Sequence, residues 1–427
     1  MAKRDYRKSR VGAHQLEPET LMLGFGFDPS LSEGAVKIPI FLTSTFAYKT
    51  CAEGKRLFDH MSGRSPQGAD AGLIYTRFNN PNLQIVEERL AVLERADGCA
   101  VFSSGMAAIL TALLAVTEPG DVVVLSRPLY GGTETLFGTL LAKWGVQSTS
   151  FVDGLDGAAV RAATAEALQR GPVAAFYVET PANPTNSLVD LDLIAKVAAE
   201  TADRQGRRPV VIVDNTLLGP LYQSPLDHGA ELVVYSLTKY VGGHSDLIGG
   251  AAVGRAEPMR KIRSIRNLIG NQLDVNSCWM LTRSLETLRL RMDKAFDNAR
   301  AVAGWLAGHP KVEHVAYLGG APAGSREAEV IARQCGAMGA TFSFTVRGGE
   351  AAAFKVLDRL QVFKLAVSLG GTESLACHPA STTHSGVSAN ERAMIGIDEG
   401  MIRLSIGVEA PNDLIADLER GLAALDA

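Results

Sequence analysis

Leu232-Val233-Val234-Tyr235-Ser236-Leu237-Thr238-Lys239-Tyr240 is the stretch on which the fold turns. Four apolar, β-prone residues read as a buried strand, and a polar run carrying two hydroxyls and a lysine follows at once. Similar strands are read at Val210–Val213, ending in Asp214-Asn215, and at Val173–Val178 and Val122–Leu125. Helical stretches such as Met106–Val116 and Leu191–Glu200 lie between them. Strand and helix in alternation predict an α/β fold with a mainly parallel sheet covered on both faces. In such sheets ligands gather at the carboxyl ends of the strands, where these polar residues fall.

Four constellations sit at such positions. Ser103-Ser104-Gly105-Met106 opens a helix, and small residues there expose amides to which the helix dipole draws an anion; an ordinary N-cap turn has the same look. Asp214 is costly to bury without a cation or strong donor, and otherwise reads as a cap. In Ser236-x-Thr238-Lys239 the hydroxyls suit a phosphate, and a partly buried lysine is nucleophilic toward an aldehyde. Tyr75-Thr76-Arg77 offers an arginine fork to a phosphate from a turn-rich segment.

With 427 residues the chain predicts two or three domains. Residues 1–79 are expected to form an arm that packs on its own body or a neighbouring subunit. Residues 80–284 are expected to form an α/β domain and 285–427 a smaller α/β domain. The latter begins with a long helical pattern from Leu285 to Leu306, carries strands at Thr341–Val346 and Met401–Ile406, and closes with a helix after Pro411. The composition, 46% hydrophobic and 21% charged, is that of a globular protein. A net charge of −4 gives no reason to expect a nucleic-acid or membrane partner. Five scattered cysteines without a CxxC read as reduced thiols, and the basic start has no apolar segment behind it; a cytoplasmic protein is expected. His244-x-Asp246, His378 and His384 lack metal-ligand spacing, so no metal is expected.

The order of these pieces resembles the cysteine and methionine metabolism family of pyridoxal-phosphate enzymes over nearly the whole chain. The resemblance runs through Ser104-Gly105-Met106-Ala107-Ala108, Pro181-Ala182-Asn183-Pro184-Thr185, Val213-Asp214-Asn215-Thr216, Thr238-Lys239-Tyr240, Ser368-Leu369-Gly370-Gly371, His378-Pro379-Ala380-Ser381 and Ile402-Arg403-Leu404-Ser405. It implies the aspartate aminotransferase (type I) fold and a homotetramer, a dimer of dimers with shared active sites. It implies that Lys239 carries pyridoxal 5'-phosphate as a Schiff base and shuttles protons, and that Asp214 pairs with the ring nitrogen. Ser104, Gly105, Met106, Ser236 and Thr238 would seat the phosphate, with Tyr75 and Arg77 of an adjacent subunit. Tyr130 would stack on the ring and assist the leaving group, Asn183 would lie near the ring oxygen, and Arg403 with Ser368 would grip the substrate carboxylate.

The resemblance also bears on the reaction. Relatives acting on cystathionine or succinylated homoserine carry an acid where this chain has Ile74 and an arginine where it has Thr135. Methionine γ-lyases lack both, but place a cysteine where Gly132 stands, and Asn267-Leu268-Ile269-Gly270 looks more like the synthase branch. Ser368 to Leu375, which brings Glu373 toward the substrate site, resembles γ-acting members. Glu134, if it faces the pocket, would favour a neutral or cationic leaving end, as in canavanine. The expected activity is γ-elimination on a γ-substituted amino acid such as methionine. The alternatives are γ-replacement of the cystathionine γ-synthase or O-acylhomoserine sulfhydrylase type and, more remotely, a cofactor-binding protein without catalysis.

Overall fold

The computed structural model describes residues 5–62, 64 and 72–426. Seven strands form the larger sheet: β1 (Gly98–Phe102), β2 (Val122–Ser126), β3 (Gln147–Phe151), β4 (Val173–Glu179), β5 (Val210–Asp214), β6 (Leu232–Ser236) and β7 (Gly250–Gly254). Their spatial order is β1-β7-β6-β5-β4-β2-β3. Strands β2 to β6 pair in parallel, whereas β7 runs antiparallel to both β6 and β1. The strand order changes direction around β2 and β4, which places a crevice at the carboxyl ends.

Two of these strands escape sequence reading for physical reasons. β3 is an edge strand, Gln-Ser-Thr-Ser-Phe, with only Thr149 and Phe151 buried. β7, Gly-Ala-Ala-Val-Gly, is wholly buried but built of small residues and carries no bulky apolar signal.

The second sheet is formed by β8 (Val312–Ala316), β9 (Thr341–Val346), β10 (Lys364–Leu365), β11 (Leu375–Cys377) and β12 (Met401–Ser405), in the order β8-β9-β12-β11-β10. The helical pattern expected from Leu285 to Leu306 is the helix α2 (Leu288–Ala307), which follows a separate helix, α1 (Val275–Leu285). Their junction at Glu286-Thr287 contains neither Gly nor Pro, so the sequence gives no stop signal there. One continuous buried cluster joins Val124, Phe176 and Val213 of the large sheet to Leu285 and Met292 of these helices and to Phe342 and Leu404 of the second sheet. The two sheets therefore share a core, and Arg403 on β12 can reach the ends of the large-sheet strands.

The N-terminal arm is tied to the body by side-chain bonds to its backbone. Asn82 donates to Pro39 O at 2.9 Å and accepts from Phe41 N–H at 2.9 Å, and Trp279 donates to Ile38 O at 3.1 Å. Arm residues Val36 and Leu42 nevertheless remain 82% and 74% exposed, and Tyr75 is exposed as well. Farther along the arm, Cys51–Met61 is a helix capped by Thr50; position 63 and positions 65–71 lie outside the described residues.

Candidate active site

A cavity of about 220 Å³ opens at the carboxyl ends of β4, β5 and β6. Ser104, Gly105, Met106, Tyr130, Asn183, Asp214, Ser236, Thr238 and Lys239 all line it. Ser104 caps the helix Gly105–Val116, its hydroxyl accepting from Ala107 N–H at 3.1 Å. The first amides of that helix have no partner within it and carry the positive end of its dipole. A Cβ on Gly105 would lie 3.1 Å from the backbone Cα of Ser236, so any other residue would press the helix start against β6. Thr238 Oγ1 accepts from Gly249 N–H at 3.0 Å, which holds the loop carrying Lys239.

Asp214, at the end of β5, is buried. It accepts from the Thr216 hydroxyl at 2.6 Å, the Thr216 amide at 3.1 Å and the Tyr177 hydroxyl at 3.3 Å. Burial raises its pKa, and the Thr216 bonds pull the other way. The next residue, Asn215, is locked by a buried network: it donates to Gln223 O at 2.9 Å and Tyr235 Oη at 2.8 Å, and accepts from Gln223 at 3.0 Å. Beside Asp214 stands Glu179, a second buried carboxylate whose pKa burial and Asp214 also raise. A buried carboxylate met only by hydroxyl and amide donors, as Asp214 is, suits a protonated ring nitrogen.

Lys239 donates to Ser368 Oγ at 2.7 Å. Burial, helped by the nearby charge of Arg403, lowers its pKa from 10.5 to about 8. Arg403 is itself buried; it donates to Asn183 Oδ1 at 3.1 Å and to Ser368 O at 2.7 Å, and its Nε has no partner. A buried guanidinium with a spare donor is a seat for a carboxylate. Because only a neutral amine attacks an aldehyde, cofactor uptake by the apoprotein should quicken as pH rises toward about 8 and then level off. A rate still climbing toward the ordinary lysine range would contradict this placement of the amine.

Other expected site residues lie elsewhere. Glu134 does not line the cavity: its carboxylate accepts from Arg127 Nε at 3.1 Å and Leu129 N–H at 3.3 Å. It borders instead a separate cavity of about 680 Å³ with Arg127 and Glu391. Arg127 and the Leu129 amide hold the carboxylate there, off the wall that Lys239 lines. Glu373 accepts from the hydroxyls of Ser245 and Thr372 and is not on the cavity wall. Tyr75 and Arg77 do not line their own chain's cavity; the Arg77 guanidinium lies 4.3 Å from the Phe78 ring centre and donates to Asn267 O. Gly132 has a steric cause, since a Cβ there would meet Tyr130 Cε1 at 2.7 Å. Among the described residues no group of three or more His, Cys, Asp or Glu is placed to hold a metal ion. His244 bonds Gly242 O, and His378 bonds Ser381 and Glu399 O.

Sequence reading did not single out Glu179 or Ile248, both on the wall. Glu179 had a signal, an acid closing the apolar run Val173–Val178 in the way Asp214 closes Val210–Val213.

A helix start with hydroxyls, a strand-end aspartate and a partly desolvated lysine around one cavity define an enzyme built to hold a phosphorylated ring aldehyde. The chain belongs to the Cys/Met metabolism PLP-dependent enzyme family, whose model matches residues 19–423. Pyridoxal phosphate is thus its cofactor, and the type I fold its architecture. It is 38% identical to an L-methionine gamma-lyase of Pseudomonas deceptionensis, over 95% of this chain and 97% of that one. It is 35% identical to an O-succinylhomoserine sulfhydrylase of Pseudomonas aeruginosa, over 92% of each. Among solved structures it resembles cystathionine gamma synthase from Xanthomonas oryzae pv. oryzae in complex with aminoacrylate and cysteine. That match has a TM-score of 0.85 and 36% identity, covering 97% of this chain and 99% of that one.

Proposed function

We propose that the chain catalyses γ-elimination on a γ-substituted L-amino acid, methionine first, which with one water gives a 2-oxo acid, ammonia and the protonated leaving group. One observation carries this choice: the positions that hold charges in cystathionine-handling relatives are uncharged and spent. Ile74 is buried, and the Thr135 hydroxyl donates to Gly131 O at 3.0 Å. A remote carboxylate or ammonium would find no partner at either position. The likeness to methionine gamma-lyases supports the same choice. Since Arg127 already engages Glu134 outside the cavity, canavanine ranks behind methionine.

When bound, pyridoxal phosphate supplies an electron sink for charge released at the substrate's Cα and Cβ. The helix start at Gly105 and Met106, with Ser104, Ser236 and Thr238, would hold its phosphate, and Asp214 its ring nitrogen. Lys239 takes the Cα proton and relays protons, its lowered pKa keeping much of the amine neutral near pH 8. Arg403 and Ser368 orient the substrate carboxylate. Tyr130, exposed at the cavity, delivers a proton to the departing γ-group. The exposed arm residues, Tyr75 among them, support a homotetramer in which Tyr75 and Arg77 reach a neighbour's cavity. We assign Glu373 a place at the substrate entrance, keep residues 1–79, 80–284 and 285–427 as the division of the chain, and place the protein in the cytoplasm. No described helix is long and apolar enough to cross a membrane.

Exposed Leu268 and Ile269, in the run that looks like the synthase branch, together with the likeness to a sulfhydrylase and a synthase, favour γ-replacement as a second reading. Incubation with methionine, canavanine, cystathionine and O-acylhomoserines, with and without thiol, separates the two. Oxo-acid release from methionine without thiol is the expected result; turnover only when thiol is added would defeat the lyase reading.

A further inference from the structure

Glu179 closes β4 directly beside Asp214 in the register of β4 and β5. Register partners of neighbouring parallel strands face the same side, and both residues line the cavity. Their bonding differs. Asp214 is met by two hydroxyls and one amide, whereas the two oxygens of Glu179 are divided between two distant amides. Tyr130 N–H donates to one oxygen at 2.8 Å, and Asn183 N–H donates to the other at 2.9 Å. The backbone of Glu179 is anchored in turn, because its N–H donates to Ser126 Oγ at 3.0 Å on the adjoining strand.

One side chain thus bridges the loop after β2 and the loop after β4. Tyr130 is 43% exposed, so packing alone does not hold it, and Asn183 spends its side-chain oxygen on Arg403. The spacing between the tyrosine and the asparagine depends on a carboxylate that accepts on both sides.

We propose that Glu179 is a positioning residue of the reaction, setting Tyr130 and Asn183 across the cavity and so fixing how the cofactor ring is held. This rests on the pyridoxal-phosphate reading of the cavity. An amide cannot replace it: Glu179→Gln keeps one acceptor but turns the other into a donor facing an N–H, so one loop must let go. Glu179→Asp keeps both acceptors and only shortens the reach.

The test compares wild type, Glu179→Gln and Glu179→Asp as holoenzymes by visible absorbance, circular dichroism of the cofactor band, and kinetics with methionine. Glu179→Gln should keep the absorbance of the lysine-bound cofactor, because Lys239 and Asp214 are untouched. Its dichroism per bound cofactor should weaken or invert, and kcat should fall about 10- to 100-fold with a smaller change in KM. Glu179→Asp should recover part of both losses. Wild-type dichroism and kcat in Glu179→Gln would overturn the proposal, as would a loss of thermal stability alone with dichroism unchanged. Should Glu179→Gln not fold, Glu179→Asp carries the comparison: reduced dichroism and kcat support the role, and wild-type values refute it. A wild-type protein that binds no visible cofactor would instead sink the underlying reading, and this one with it.

Discussion

Replacing Lys239 with alanine should abolish the visible band of the bound cofactor and lower turnover by about 10³-fold or more. The size follows from the two tasks proposed for this amine, covalent attachment and proton transfer. Its surroundings suit both: burial and the charge of Arg403 bring its pKa to about 8, and Ser368 Oγ at 2.7 Å aims it. Residual noncovalent binding should persist, since the helix start at Gly105 and the carboxylate of Asp214 do not depend on the lysine. Absorbance and initial rates on the reconstituted variant check the expectation; unchanged absorbance would place the attachment elsewhere.

Arg403→Ala should leave the cofactor band in place yet lower kcat/KM by about 30-fold to several thousand-fold. That range is the roughly 2–5 kcal/mol lost when one partner of a buried, hydrogen-bonded charge pair is removed. Arg403→Lys should recover little of it, because an ammonium cannot reproduce the fork that reaches Asn183 and Ser368 while leaving a donor for the substrate. A second consequence separates this role from simple structural damage. Arg403 lowers the pKa of Lys239 by charge repulsion, so Arg403→Ala should move the pH midpoint of cofactor uptake upward, toward the ordinary lysine value. Saturation kinetics and reconstitution rates across pH measure both effects.

The parts of this molecule legible from residues alone are those where one local signal carries the whole message. Val210–Asp214 and Leu232–Ser236 announce buried strands by Val content and announce a site by the polar residue that ends each run. β3 and β7 were silent because an edge strand needs no apolar alternation on its open side, and a strand pressed between β1 and β6 can be built of Gly and Ala. The start of α2 was read at Leu285 rather than Leu288 because Glu286-Thr287, the break after α1, contains neither Gly nor Pro. At the site, Glu134 bore on the substrate only if it faced the pocket, and its bonds to Arg127 and to Leu129 N–H, which no local pattern records, hold it elsewhere. Glu179 stayed hidden because its value lies in what it bonds, two amides four residues and forty-nine residues away, and no local pattern records such a bridge.

The central claim is that one lysine at the end of β6 carries the aldehyde. Borohydride reduction of the reconstituted protein, followed by proteolysis and mass spectrometry of the peptides, tests it directly. The cofactor should be found fixed to the peptide that contains Lys239. Fixation on any other lysine, or recovery of an unmodified Lys239 peptide after reduction, would contradict the account.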